Sequence, residues 1–317
     1  MNNLIFIDCL DKAKICYSKN EPMCNHTSFK TGGMADIFVL PKTQEELKLV
    51  LTSAKENGIS VFVLGKGSNL LVSDDGIEGA VISLNNLSDI EVNGDEITCS
   101  SGASLAAACL KARDNCLSGF EFAYGIPGSV GGAVYMNAGA YDGEVSNIIK
   151  SAEVMDFEGN IFTIQRDDMC LGYRTSVFSK EKYIILSATF HLTKAEKDKI
   201  SARMDELMSR RKEKQPLSFP SAGSTFKRPE GHFAGALIEK NDLKGFSIGG
   251  AMVSELHAGF VINYNKATTV DILKLIRHIQ ETVYKNDGVL LCTEVLFVGR
   301  TPSGELLPYK TVDEIKF

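Results

Sequence analysis

Apolar positions recur along this chain at two spacings, and the switches between them divide it into short helices and strands. Residues 4–19 place Leu10, Ala13, Cys16 and Tyr17 on one side of a helical projection, which predicts an amphipathic helix. A polar loop from Asn25 to Gly33 follows, and the alternating run Ala35 to Leu40, stopped by Pro41, predicts a strand. Thr43 and Glu46 have capping-box spacing. Leu47, Val50, Leu51 and Ala54 continue at helical spacing, and Gly58 suits the position after the helix end. Val61 to Leu64 then reads as a buried strand running straight into Gly65-Lys66-Gly67-Ser68-Asn69-Leu70.

From Gly76 to Ser101, short apolar runs alternate with turns such as Asn93-Gly94-Asp95, which predicts antiparallel strands. Residues 104–116 have small-residue helical character, and strand-like runs return at 151–157, 161–165 and 183–193. Residues 195–214 form a charged helix with Ile200, Met204, Leu207 and Met208 inward. Its basic end (Arg210, Arg211, Lys212, Lys214) matches a helix C-terminal charge preference, and Pro216 breaks it. An amphipathic helix is expected near 269–284 through Ile272, Leu275, Ile276, Ile279 and Val283. Asp287-Gly288 turns the chain into the apolar run Val289 to Val298, read as a strand with Glu294 inside it. A carboxylate there is costly unless it is paired or used. The pattern is α+β. The composition shift near the 195–214 helix divides residues 1–200, in two lobes of about 1–85 and 86–200, from residues 201–317.

Candidate chemistry concentrates in the glycine-rich stretches. Tyr124 to Tyr141 holds Gly125, Pro127, Gly128, Ser129, Gly131 and Gly132, then Asn137, Ala138 and Gly139, with no charged residue inside it. Backbone amides in such a run can approach a ligand closely and form an anion nest. A phosphate-bearing cofactor is the expected ligand, and Gly65 to Leu70 supplies a second wall. Neither stretch is a Rossmann fingerprint or a P-loop: the spacings fail, and position 60 is serine.

Composition narrows the partners. The 317 residues are 44% hydrophobic and 23% charged, as in ordinary globular chains, and the net charge of −6 argues against a general nucleic-acid binder. The N-terminus has no signal-peptide pattern, and no apolar run approaches a membrane span. Eight cysteines without a Cys-x-x-Cys pair predict reduced, mostly core thiols in the cytoplasm, and no His/Cys cluster has zinc spacing.

Six segments appear together in one order: His26-Thr27-Ser28-Phe29-Lys30-Thr31-Gly32-Gly33, Gly65 to Leu71, Gly125 to Tyr141, Gly172-Tyr173-Arg174-Thr175-Ser176-Val177-Phe178, Ala222 to Pro229, and Glu294-Val295. In this order the chain resembles the UDP-N-acetylenolpyruvoylglucosamine reductases, over residues 26–298. The resemblance implies a two-subdomain FAD-binding fold of the vanillyl-alcohol-oxidase/PCMH type, with a C-terminal α+β substrate-binding domain. It implies FAD as cofactor, NADPH as hydride donor, and reduction of UDP-N-acetylglucosamine enolpyruvate to UDP-N-acetylmuramate. No histidine motif suggests covalent flavin attachment, so dissociable FAD is expected, in a cytoplasmic monomer.

The same resemblance distributes the roles. FAD is held by Thr31, by Gly65, Lys66, Gly67, Ser68, Asn69 and Leu70, and by the named residues of the 125–139 stretch. Ser224 is the proton donor, Arg174 binds the substrate carboxylate, and Glu294 assists the enol-type intermediate. Tyr173 and Lys214 face substrate, Lys214 near the phosphates; Lys227 and Arg228 follow the serine and face substrate too, with a solvated surface role as the alternative. His257 and Asn263 are further pocket candidates, with a core or turn role as the alternative. No metal is expected. Longer members insert a segment after the Tyr-Arg motif, with a tyrosine that closes on substrate; here Arg174 runs on to Ser179-Lys180-Glu181-Lys182 and a strand. The rival reading, another FAD oxidoreductase on the same scaffold, lacks a use for Ser224 and Glu294.

Overall fold

A computed structural model describes residues 2–300 and, as backbone, 306–311; the remainder of the 301–317 tail lies outside the described residues. They pack as two compact units whose segments alternate along the chain. One unit holds the residues up to Ser18, Phe38–Lys66 and Ala80–Arg211; the other holds Lys19–Ile37, Gly67–Gly79 and the chain from Lys212 onward.

In the first unit the expected 4–19 helix is shorter. Helix α1 spans Asn2–Ala13 and buries Phe6 and Leu10. Lys14 then turns left-handed (φ +55°), and Cys16–Pro22 is a strand, so Cys16 and Tyr17 leave the helix. Helix α2 (Gln44–Glu56) starts where the sequence places it: Thr43 Oγ1 accepts the Glu46 N–H at 3.2 Å. The reciprocal half of the box differs, because the Glu46 carboxylate accepts from the Lys42 amide at 2.7 Å. Leu47, Val50, Leu51 and Ala54 are buried, and Gly58 ends the turn at φ +64°.

A four-stranded sheet runs in the order Cys16–Pro22, Met34–Leu40, Ile77–Ser83, Val61–Leu64. Ile77–Ser83, expected in an antiparallel array, pairs parallel with Val61–Leu64, from Val61↔Ala80 to Leu64↔Ser83. A parallel pair needs a crossover between its strands, which strand-local patterning does not reveal. The Asn93-Gly94-Asp95 hairpin does form, and its strands complete a five-stranded antiparallel sheet. The order there is Ile161–Gln165, Ile149–Asp156, Tyr183–His191, Glu96–Ser100, Ile90–Asn93. Helix α3 (Leu105–Asp114), capped by Ser104, shares this unit's core with Ile97, Val134, Phe190 and Met204. The short helix α4 (Val130–Tyr135) carries the glycine-rich stretch. Helix α5 (Lys197–Lys214) turns Ile200, Met204 and Leu207 inward.

The second unit's core gathers Phe29, Phe226 and Val261 with Ile272, Leu275, Ile276, Ile279 and Val283. The last five lie on α7 (Thr269–Asp287), which the short helix α6 (Ala234–Lys240) precedes. Thr268 and Asp271 make a reciprocal capping box on α7, and Gly288 closes it at φ +69°. Asp74 adds two caps, accepting the Thr269 and Val270 N–H groups at 2.9 and 3.2 Å. The apolar run 289–298 is a strand only from Leu296 (Leu296–Arg300), which pairs parallel with Leu70–Val72. Before that, Thr293 makes a single bridge to Phe226, and the Leu291 carbonyl accepts from Gln280 on α7. Leu291 and Val295 are buried in this unit's core while Leu290 is exposed, so the apolar run before Leu296 is only partly covered and lies in no named strand.

All eight cysteines are free. Only Cys99 and Cys109 are buried, and burial pushes the Cys99 thiol up to about 12. Cys16, Cys116, Cys170 and Cys292 are exposed, so the thiols are not mostly core. Cys116 and Cys170 occupy left-handed turn positions, at φ +56° and +49°.

Candidate functional site

In the first unit the glycine-rich stretch is pinned by main-chain bonds on its outer side. Gly128 O accepts from Leu105 N (3.0 Å), while Val130 N and Gly131 N donate to Ala103 O and Ser101 O (2.8 and 2.9 Å). Ser129 caps α4, its Oγ accepting from Gly132 N at 3.3 Å. Gly65, at the end of the Val61–Leu64 strand, comes so close that a Cβ there would stand 2.5 Å from Ser129 Oγ. The two glycine walls expected from sequence therefore meet, at Gly65 and Ser129. Lys66, Pro127 and Gly132 are exposed beside them, and Ala138 N bonds Ala133 O at 2.8 Å.

The same unit brings the Tyr-Arg motif to this stretch. Gly172 and Thr175 exchange main-chain bonds at 3.0 and 3.3 Å, which makes Tyr173-Arg174 a two-residue turn. Arg174 sits in the left-handed region (φ +53°), a strain of order 1–3 kcal/mol that concentrates at functional positions. Its guanidinium donates to Gly139 O at 3.0 Å and lies 5.0 Å from the centroid of the exposed Tyr173 ring. Asn137 is fully buried and also left-handed (φ +43°). It donates Nδ2–H to Gly172 O at 3.0 Å and accepts from Ser146 N at 2.8 Å. Its side chain thus holds the turn against the glycine-rich stretch.

Arg211 is a residue that sequence reasoning missed. Its side chain packs against Gly125 and is half-buried, and burial lowers its pKa despite the opposing influence of Tyr141. The signal was available: Ile200, Met204, Leu207 and Arg211 share one helical stripe. Arg210, Lys212 and Lys214 are exposed, as a solvated helix end would have them.

The second unit assembles the other segments. Gly67 (φ +61°) lies against His26 O, where a Cβ would stand 2.0 Å away, and Gly67 O accepts from Ser28 N at 3.1 Å. Thr31 is buried, and its Oγ1 has no hydrogen-bond partner among the described residues. Ser68 and Asn69 are half-buried, and Leu70 is buried at the start of its strand. Asn69 ties this loop to the last matched segment: Nδ2 donates to Glu294 O and its carbonyl accepts from Leu296 N, both at 3.0 Å.

Glu294 N in turn donates to Thr225 O at 2.9 Å, so Glu294 and the residue after Ser224 are main-chain neighbours. Thr225 N donates to Gly259 O and Lys227 N to Cys292 O, each at 2.8 Å. Thr225 Oγ1 also accepts from Val261 N at 2.9 Å. These bonds fix the segment while leaving Ser224 exposed and Glu294 half-buried. His257 reaches the same place: its Nδ1 accepts from Gly259 N at 3.1 Å, and burial lowers its pKa, which favours the neutral ring. Asn263 is committed to the framework, donating to Phe29 O (2.9 Å) and accepting from Ala267 N (2.8 Å). Lys227 is half-buried; Arg228 is exposed, its guanidinium 4.0 Å from the centroid of the Phe233 ring.

Residues 35–165 match the FAD binding domain family, and residues 215–298 match the C-terminal domain of UDP-N-acetylenolpyruvoylglucosamine reductase. A UDP-N-acetylenolpyruvoylglucosamine reductase of Clostridium botulinum (strain Eklund 17B / Type B) is 53% identical over 281 residues, 89% of this chain and 92% of the relative. One from Clostridium novyi (strain NT) is 52% identical over 290 residues, 92% and 94% of the two chains. The crystal structure of the reductase from Thermus caldophilus superposes with a TM-score of 0.77 at 32% identity, covering 89% of this chain and 98% of that one. The two-part FAD-binding fold with an added α+β domain is accordingly the fold of this protein. The chain belongs to the UDP-N-acetylenolpyruvoylglucosamine reductase family.

Proposed function

We propose that this protein reduces the enolpyruvyl ether of UDP-N-acetylglucosamine enolpyruvate to UDP-N-acetylmuramate, with NADPH as reductant and FAD as a dissociable cofactor. The observation that carries the reading is the main-chain pairing of the Ser224 segment with Glu294, which puts an exposed hydroxyl and a half-buried carboxyl on neighbouring backbone. The residues fit a flavin: Gly65 and Ser129 form a close-packed corner, with Pro127 and Gly132 exposed beside it. When bound, FAD supplies the relay of hydride from NADPH to the substrate alkene. We assign cofactor contacts to Gly65, Lys66, Ser129 and Gly132, and to Thr31, Gly67, Ser68 and Asn69.

The chain's own groups do the rest. Hydride addition to the terminal carbon leaves negative charge spread towards the substrate carboxylate. The Arg174 guanidinium, carried on a left-handed turn position, offers parallel N–H donors to that carboxylate. Ser224 then gives its proton to the carbon bearing the ether oxygen; a hydroxyl suffices because the acceptor is strongly basic. Glu294 hydrogen-bonds the enol-type oxygen, and its segment is anchored to Asn69 and Thr225. Lys214 and Lys227 meet the diphosphate, Arg228 meets the nucleoside end of the substrate, Tyr173 and His257 line the pocket, and Asn263 braces the framework through Phe29 and Ala267. We assign residues 1–200 to the flavin and 201–317 to the substrate.

No described helix is long and apolar enough to cross a membrane. We place the enzyme in the cytoplasm, as a monomer.

The test is an absorbance spectrum of the purified protein. A yellow preparation that NADPH bleaches, and that the enolpyruvyl substrate then recolours without oxygen, is expected. A protein that refuses added FAD, or whose reduced flavin ignores the substrate, contradicts the reading.

A further inference from the structure

The substrate named above ends in a nucleoside, and the second unit carries a feature suited to a base. From Ser224 the chain is held by the Thr225–Gly259, Thr225–Glu294 and Lys227–Cys292 main-chain bonds. The four steps from Ser224 to Arg228 reach at most about 13–14 Å. A sugar and a diphosphate take up such a span, so the nucleoside falls where Arg228 emerges.

There the chain folds back. His232 N donates to Pro229 O at 3.2 Å, Gly231 adopts φ +71°, and α6 starts at Ala234. The turn delivers Phe233 beneath Arg228, whose guanidinium carbon lies 4.0 Å from the ring centroid. Phe233 is 61% exposed, whereas the other exposed phenylalanines of the described residues, Phe162, Phe219 and Phe246, are 36–38% exposed. An apolar ring so open to water, under a cation and close to Lys227, suits a flat ligand with a charge beside it. Aromatic rings and arginine guanidinium groups both stack on bases, whatever the base, because every base has a π-face.

We propose that Phe233 and Arg228 form the platform on which the uracil of the substrate stacks; this rests on the reductase reading above.

Phe233→Ala isolates the base contact, because the ring is mostly exposed and its loss leaves the core intact. Titration calorimetry on the FAD-loaded protein would compare UDP with inorganic pyrophosphate. Loss of one stacking contact, about 1–3 kcal/mol, weakens UDP binding by about 5- to 150-fold. Pyrophosphate affinity, FAD content and flavin bleaching by NADPH should stay at wild-type values, and Phe233→Tyr should restore UDP binding. UDP affinity within twofold of wild type in Phe233→Ala, or an equal loss of UDP and pyrophosphate affinity, overturns the platform. If wild-type protein binds pyrophosphate and reduces the substrate yet Phe233→Ala behaves normally, only this inference falls. If wild-type protein binds no UDP, both fall.

Discussion

Asn137→Ala tests whether one buried amide holds the Tyr173-Arg174 turn to the glycine-rich stretch. The side chain makes two bonds, 3.0 Å to Gly172 O and 2.8 Å from Ser146 N, and none of it is exposed. Truncation leaves an acceptor and a donor without partners, at about 1–3 kcal/mol each. Alanine must also hold the left-handed backbone (φ +43°) that asparagine tolerates, a further cost of about 1 kcal/mol. The sum is about 3–7 kcal/mol, or about 6–28 °C in Tm at 2–4 °C per kcal/mol. Asn137→Gly separates the parts: it loses the same bonds without the backbone strain, so it should recover about 1 kcal/mol. Circular dichroism melts of the FAD-loaded variants read both. A fall of less than 3 °C in Asn137→Ala refutes the stitching role, and equal melts for the two variants refute the strain.

Two further outcomes bear on the flavin wall and the carboxylate. Gly65→Ala sets a methyl 2.5 Å from Ser129 Oγ, so the hydroxyl must give up its cap on Gly132. At about 1 kcal/mol for a cap, FAD Kd should rise about fivefold, measured by quenching of flavin fluorescence; an unchanged Kd contradicts the corner geometry. Arg174→Ala should retain FAD and lose turnover by about 100-fold or more, the scale of a buried charge pair broken on one side. Loss of FAD during purification would show that Arg174 serves the cofactor instead.

Local rules made much of the fold legible. Thr43, Ser104 and Thr268 cap the helices that follow them, and Gly58 and Gly288 close two of those helices. Non-local pairing was less legible. The run 289–298 shows an unbroken apolar pattern, yet only its end from Leu296 joins a sheet, because burial by α7 and pairing with a strand give the same sequence signature. Likewise Ile77–Ser83 reads as one more strand, and nothing within it announces its parallel neighbour. For the site, the six segments are legible in the sequence in one order, and the roles proposed for them rest on that order. What they could not carry is Asn137's work inside the framework, or Arg211 against Gly125, since both depend on which backbone a side chain meets after folding.

The central claim is that Ser224 gives a proton to substrate and takes no part in loading the flavin with hydride. Stopped-flow absorbance of Ser224→Ala separates the two half-reactions under anaerobic conditions. Bleaching by NADPH should proceed at the wild-type rate, while recolouring by UDP-N-acetylglucosamine enolpyruvate should slow by about 10²–10⁴-fold, the contribution of a positioned proton donor. Equal slowing of both phases, or recolouring at the wild-type rate, would contradict it.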